Sequence, residues 1–274
     1  MPHLLVRLLA LLLLLPAGVA GQEDPGDGDG GPSPDYPVAP LSVPRPALRA
    51  HALAAGTPIR VDGTLDEAAW SRADSTAGPW IQINPRAGHP ATQRSVARVL
   101  YDRDRLYIGA VLYDEDPDGL VIPGLEQDFN AGSSDIFGVV LDTYHDRQNG
   151  FVFAVNPGGA VYDAQAFNDS QDLVAAWEGI IDVRTRIHDE GWTVEMAIPF
   201  STLRFDPSEG PQTWGLNFTR RIRRLNEDSM WAPLPLQFRA YKFSMAGTLE
   251  GLRDLPQTRN LYLKPYVLGN RLGV

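Results

Sequence analysis

The chain has 274 residues, 43% hydrophobic and 21% charged, with 26 Gly and 23 Pro, which excludes a collagen-like or wholly disordered polymer and fits one large domain or two small ones. Lys and Arg number 24 against 34 Asp and Glu, a formal net charge of −10, so the cationic surface that binding to nucleic acid requires is missing. With no Cys, a disulfide framework, a thiolate metal site and a Cys nucleophile are excluded.

Residues 1–21 have the layout of a secretory signal peptide. One fixed positive charge, Arg7, precedes an apolar block from Leu8 to Leu15, which Pro16 breaks before the small residues Ala17 to Gly21. The block is roughly eight residues, well short of the ~20 that span a bilayer as a helix. Export, with cleavage near Ala20, is the expectation, and a membrane anchor is the rival reading. Residues 22–50 are rich in Pro, Gly and Asp and carry too little apolar surface to fold, so they read as a flexible tether.

From residue 51 to 257 short runs alternate apolar and polar residues, punctuated by Gly, Pro, Asn and Asp. The pattern predicts strands at 59–61, 94–101, 106–113, 135–142, 150–156, 160–167, 179–187, 192–198, 213–223 and 241–249. In the strand 192–198, Trp192, Val194, Met196 and Ile198 share one face and Thr193, Glu195 and Ala197 the other, as in a half-buried antiparallel strand. Helical segments are short, at 65–72 and a turn at 200–203. Many strands and almost no helix predict an all-β fold, an antiparallel β-sandwich. The sequence Asp102-Arg103-Asp104-Arg105 reads as a solvated hairpin turn between two strong strands.

Signals for catalysis are sparse. The His residues stand alone, without the H-E-x-x-H spacing of a zinc site, and no G-x-S-x-G, P-loop or G-x-G-x-x-G pattern occurs. A glycoside hydrolase needs only two carboxylates ~5–9.5 Å apart, and the sequence selects no such pair. Asp114, Asp116 and Asp118 spell D-x-D-x-D-G, an oxygen-rich turn that suits calcium, against the plainer reading of an acidic turn. Asp135, Asp142, Asp146, Asn156 and Asp163 form a second acidic group. Arg220, Arg221, Arg223 and Arg224 form a basic run in which alternation puts Arg221 and Arg223 on one face, suited to a carboxylated ligand or to salt bridges with nearby acids. Trp80, Trp177 and Trp231 fall in or beside predicted loops, where an aromatic plane can stack on a sugar ring.

Several strings then cohere. Ile59-Arg-Val-Asp-Gly-Thr-Leu-Asp-Glu-Ala-Ala-Trp70 resembles the opening of the family 9 carbohydrate-binding modules, and Val99–Asp102, Leu106–Val111, Asp135–Asp142, Phe153–Pro157, Gly191–Pro199 and Trp214–Phe218 continue the likeness in order. Leu203–Phe205, Arg221–Glu227 with Trp231, and Gly247–Gly251 are similar to a bacterial subfamily in which the module precedes an outer-membrane β-barrel of unassigned function. The resemblance implies an immunoglobulin-like or jelly-roll type sandwich and a glycan or cell-envelope ligand. It also implies a link to carbohydrate catabolism and a place in the periplasm or outer membrane of a Gram-negative cell. Residues 258–274, where Asn260–Leu268 alternates, would then begin a barrel that is the module's partner. By the same resemblance, a sugar-clamping Trp would stand at Gly132, ligating Glu and Arg at Gly138 and Ala154, and the second clamp near Ala240 or Tyr241. None keeps its residue type, apart from an aromatic exchange at Tyr241. Ligand contacts are thus expected from Trp177, Trp231, Tyr241 and Trp80. Three readings stay open: a non-catalytic glycan-binding module, a plug domain of an outer-membrane barrel that binds no free sugar, and part of a glycoside hydrolase.

Overall fold

A computed structural model of the protein describes residues 45–206, 210–235 and 241–256. The expected leader, most of the tether and the tail 258–274 lie outside the described residues. In chain order the strands are β1 (Ala47–Arg49), β2 (His51–Ala52), β3 (Ile81–Asn84), β4 (Ser95–Tyr101), β5 (Arg105–Tyr113), β6 (Ile136–Asp142), β7 (Gly150–Val155), β8 (Val161–Phe167), β9 (Asp172–Val174), β10 (Asp182–His188), β11 (Gly191–Pro199), β12 (Gln212–Ile222), β13 (Glu227–Met230) and β14 (Gly247–Leu252). The one α-helix among the described residues, α1, is Ala68–Arg72.

The strands form two sheets, as the alternation predicts. The larger runs β1-β14-β12-β6-β7-β8-β9, with β13 pairing β12 and β3 beside it; the smaller runs β10-β11-β5-β4-β2. Neighbours are antiparallel except β1 with β14 and β2 with β4. The core lies between the sheets. Phe137, Val139 and Leu141 of β6, Phe151, Phe153 and Val155 of β7, and Leu216 and Phe218 of β12 face Val99, Ile108, Ala110, Val194 and Met196 of the smaller sheet. Period-two alternation thus delivers each strand's large residues to one interface.

The expectation for β11 needs correction. Its second face is not solvated: every residue from Gly191 to Ile198 is buried. The segment 53–73 lies across the outside of the smaller sheet, packing Ile59, Trp70 and Ala73 on Leu100, Tyr107 and Ala197. The run 59–61, expected as a strand, belongs to this cover and joins no ladder. Glu195 fastens it. Its carboxylate accepts the Asp62 and Gly63 amide hydrogens at 2.9 and 3.1 Å and the Trp70 indole N–H at 3.2 Å. Gly109 of β5 leaves the room that Trp70 occupies, since a Cβ there would meet the indole at 2.9 Å. The D-G and W of the opening string are therefore the parts of one clasp.

Other differences are smaller. The run 241–249 divides into a turn at Phe243–Met245 and β14, which begins at Gly247. The short strands β1, β2, β3, β9 and β13 have too few residues for a period to show in sequence. Among the described residues no helix is long and apolar enough to cross a membrane.

Replacing Glu195 by Ala strands the buried donors of Asp62, Gly63 and Trp70, and is expected to lower the unfolding free energy by about 3 kcal/mol in urea titration. Burial pushes the Glu195 carboxyl above its usual range, against the pull of the Asp62 and Gly63 amides. A carboxyl so raised contributes stability below its unfolded-state pKa and loses that contribution as pH rises through the folded-state value. The stability of Glu195→Gln relative to wild type is accordingly expected to improve between pH 4 and pH 7, read from urea midpoints.

Candidate functional site

The outer face of the larger sheet is built from small residues. Gly138 of β6 and Ala154 of β7 pair in register with Thr219 of β12 and Tyr162 of β8, and Val140, Val152 and Ala164 form the next row. All but Tyr162 are buried. Phe129 packs on Ile136, Ala154 and Ala160 at one end. Phe243, with Tyr241 beside it, packs on Val140, Val152 and Ala166 at the other. The turn carrying Tyr241 and Phe243 is tied to the β8–β9 connection. Ser170 donates to the Tyr241 carbonyl, and Asp169 accepts from the Ser244 amide at 3.0 Å and from Lys242 at 3.1 Å. The Thr219 hydroxyl occupies the space a Cβ on Gly138 would need, and it is buried without a hydrogen-bond partner.

At the rim of this face a polar cleft of about 490 Å³ opens, lined by Asn84, Pro85, Gly132, Arg221, Arg223, Asn226 and Asp228. Arg221 of β12 and Asp228 of β13 stand directly opposite in register, so the ladder itself brings them together. Nε and Nη2 of Arg221 donate to the two Asp228 oxygens at 2.6 and 3.1 Å, and Nη1 donates to the Ala131 carbonyl at 3.0 Å. Asn84 Nδ2 donates to Asp228 Oδ2 at 3.2 Å. The hydrogen bonds to Asp228 hold the Arg221 guanidinium above its ordinary pKa. Burial pushes up the phenol of Tyr241, with Arg221 opposing and Asp228 adding, so the phenol keeps its proton at neutral pH. This fork-on-carboxylate arrangement presents fixed, planar donors and acceptors, the equipment for orienting vicinal hydroxyls.

The remaining arginines do something else. Arg220 points into the core and is buried to 1% side-chain exposure, with Asp114 at 0% beside it. It donates to Asp114 Oδ2 at 3.2 Å, to the Arg94 carbonyl at 3.1 Å and to Ser95 Oγ at 3.2 Å, tying the larger sheet to the smaller. Arg224 donates to the other Asp114 oxygen. Burial lowers the Arg220 pKa to about 10, and the Asp114, Asp135 and Glu227 charges oppose the shift. Both oxygens of Asp114 therefore face arginines. This corrects the calcium reading of Asp114, Asp116 and Asp118: Arg224 also reaches Asp116 at 3.5 Å, Asp114 Oδ1 accepts the Asp116 amide at 2.9 Å, and Asp118 lies in the 3₁₀ turn Pro117–Gly119 that Asp116 opens. Asp135, Asp142 and Asp163 are likewise engaged by backbone amides, of Val121 and Arg223, of Asp146 and Arg147, and of Gly179. Among the described residues no group of three or more His, Asp or Glu is placed to hold a metal ion.

The aromatic candidates do not converge. Trp80 is 1% exposed and stacks on Phe218 at 6.0 Å, while Trp231 is 4% exposed and tilts against the same ring at 5.8 Å. Both belong to the core rather than to a loop surface: Trp231 continues the β12–β13 ladder, its amide donating to the Phe218 carbonyl at 3.0 Å, and Trp80 joins the same inter-sheet cluster. Trp177 is half-buried and lies on Phe151 and Phe153 at 5.1 and 6.1 Å, at the edge of the inter-sheet core. Tyr241 is half-buried on the opposite face of β7, so Trp177 and Tyr241 cannot hold one sugar ring between them. Of the four candidates, Tyr241 stands in the electrostatic neighbourhood of the Arg221–Asp228 cleft, and none of the three Trp lines that cleft. The cleft residues Asn84 and Asn226 were not singled out from sequence; the short strand β3 and the turn after β12 carry them.

Comparison with known proteins gives this geometry a context. The model of the carbohydrate family 9 binding domain-like family matches residues 61–223. The chain belongs to that family. Among solved structures, a family 9 carbohydrate-binding module from Caldicellulosiruptor kristjanssonii in complex with cellotriose is 16% identical, with a TM-score of 0.53 over 80% of this chain and 100% of its own. The complex of such a module from that organism with glucose is 15% identical at a TM-score of 0.53, over 78% of this chain and 100% of its own. A putative carbohydrate-binding protein from Bacteroides uniformis ATCC 8492 is 14% identical with a TM-score of 0.59, over 75% of this chain and 99% of its own. No curated protein matches by sequence. At these identities the likeness is one of fold.

Asp114→Asn removes the anion on which the buried Arg220 depends. The loss expected for a buried pair broken on one side is about 3–5 kcal/mol, read from the thermal or urea midpoint.

Proposed function

We propose that this family 9 domain is a non-catalytic glycan-binding module whose ligand enters the Arg221–Asp228 cleft. The observation that carries the reading is the bidentate pair itself: a guanidinium and a carboxylate locked against each other, partly exposed, with Asn84, Asn226 and Tyr241 around them. Neutral sugars are recognised by such planar donors and acceptors, with an aromatic ring covering an apolar sugar face. The structural neighbours crystallised with cellotriose and glucose support the ligand class. The signal-like residues 1–21 and the alternating tail 260–268 support an exported domain at a Gram-negative envelope, beside an outer-membrane barrel and serving carbohydrate catabolism.

A second reading is favoured by one observation. The outer sheet face holds its own covering side chains, Phe129, Phe243 and Thr219, over Gly138 and Ala154, the positions at which the family resemblance would set sugar ligands. A plug domain of the barrel, binding no free sugar, would need nothing more.

Glycan-array screening and calorimetric titration of the chain separate the two. On the binding-module reading, Asn84→Ala and Arg221→Met each weaken affinity about tenfold, the loss of one or two hydrogen bonds to a polar ligand. Gly132→Trp strengthens it by a similar factor, because a Cβ at 132 would stand 3.8 Å from Arg221 Nη1, with the Asn130 side chain at 3.1 Å shifting to admit it, and the indole would add an aromatic plane at the rim. Unchanged affinity in all three variants places the ligand elsewhere, and absence of any glycan affinity selects the plug.

A further inference from the structure

The arginines of the cleft are not equivalent. Arg221 has its carboxylate, and Arg220 and Arg224 share Asp114 on the core side. Arg223 lines the same cleft as Arg221, yet it makes no ion pair among the described residues. Its side-chain hydrogen bond among the described residues is a donation to Asn226 Oδ1, a neutral amide. Of the five N–H groups on that guanidinium, most are therefore left for a ligand. The backbone holds it in place. The Arg223 amide donates to Asp135 Oδ1 at 3.0 Å, and Asn226 adopts the left-handed conformation (φ 48°) that ends the turn and sets its side-chain oxygen beside the guanidinium.

The charges lining the cleft are then two guanidiniums against one carboxylate, an excess of one positive charge on a chain whose formal net charge is −10. An anion brought from outside would satisfy that local excess. A carboxylate matches the guanidinium fork in shape and charge, and a charge-assisted, bidentate contact is roughly twice as strong as a neutral hydrogen bond. The neighbouring Asn84 and Asn226 amides, with the Arg221–Asp228 pair, remain suited to hydroxyls.

We infer that the cleft selects an acidic glycan, with the carboxylate of a uronic-acid residue on Arg223 and ring hydroxyls on Asn84, Arg221 and Asp228. This rests on the glycan reading proposed above and specifies its ligand class.

Titration of the full chain with a glucuronic acid disaccharide and with its neutral glucose counterpart tests the inference. Binding is followed by calorimetry and by the NMR signals of the cleft residues. The acidic sugar is expected to bind about tenfold tighter than the neutral one, and Arg223→Gln is expected to bring that ratio to about one with an unchanged thermal midpoint. Arg103→Gln, an exposed arginine on the separate hairpin turn, is expected to leave the ratio unchanged and controls for general charge. Equal affinity for the two sugars, or a preference that survives Arg223→Gln, overturns the acidic class and leaves the glycan reading standing. If neither sugar binds or shifts a cleft residue, both readings fail.

Discussion

Each sheet of this sandwich has two faces to keep from water, and packing the sheets together buries only one face of each. The other two faces must be covered by chain from elsewhere, and this requirement organises most of what is not strand. On the smaller sheet the cover is the segment 53–73, held by the Glu195 carboxylate on the Asp62 and Gly63 amides and the Trp70 indole. On the larger sheet it is Phe129 at one end and Tyr241 with Phe243 at the other. A buried carboxylate is costly unless its oxygens are taken by donors. Glu195 meets that condition with main-chain amides and an indole, so the cover and the charge stabilise each other.

The same requirement shapes the candidate site. An open sheet face lined by Gly138, Ala154, Ala164 and Ala166 would offer a ligand a shallow trough with little polar character. Thr219 and Phe243 fill it, and what stays open is the rim, where β12 ends, β13 begins, and the end of β3 and Gly132 come close. The polar groups gather there because the ladder between β12 and β13 sets Arg221 opposite Asp228. Strand pairing, not loop length, fixes the geometry of that pair, and a site fixed by a sheet is more rigid than one carried on a loop.

The fold was legible in the sequence because both sheets bury large residues at period two, and strands of seven to eleven residues such as β4, β6, β11 and β12 give that period time to show. The solvated face expected for β11 was not, since nothing local to Thr193, Glu195 and Ala197 tells of a cover arriving from more than a hundred residues away. The aromatic candidates failed for a related reason. Trp80 and Trp231 flank strands, as binding residues often do, but their rings lie on the inner face against Phe218. Proximity of a Trp to a loop says nothing about which side of the sheet it reaches. The acidic turn at Asp114 misled in the opposite direction. Its oxygen-rich spelling fits a cation, and the cations it meets are the guanidiniums of Arg220 and Arg224.

That last exchange also explains the arginine run. In an extended strand consecutive side chains point to opposite faces. Arg220 is driven inward, where only a buried anion makes its charge tolerable, and Asp114 supplies it at the exit of β5. Arg221, one residue on, is turned outward to Asp228. The strand then ends at Ile222, and the 3₁₀ turn Arg223–Leu225 breaks the alternation, sending Arg224 back to Asp114 and leaving Arg223 at the cleft. A run of four similar cations is thus divided by one change of backbone conformation. Three of them are committed to acids within the domain, and the fourth stands where the cleft opens beside the outer face of the larger sheet.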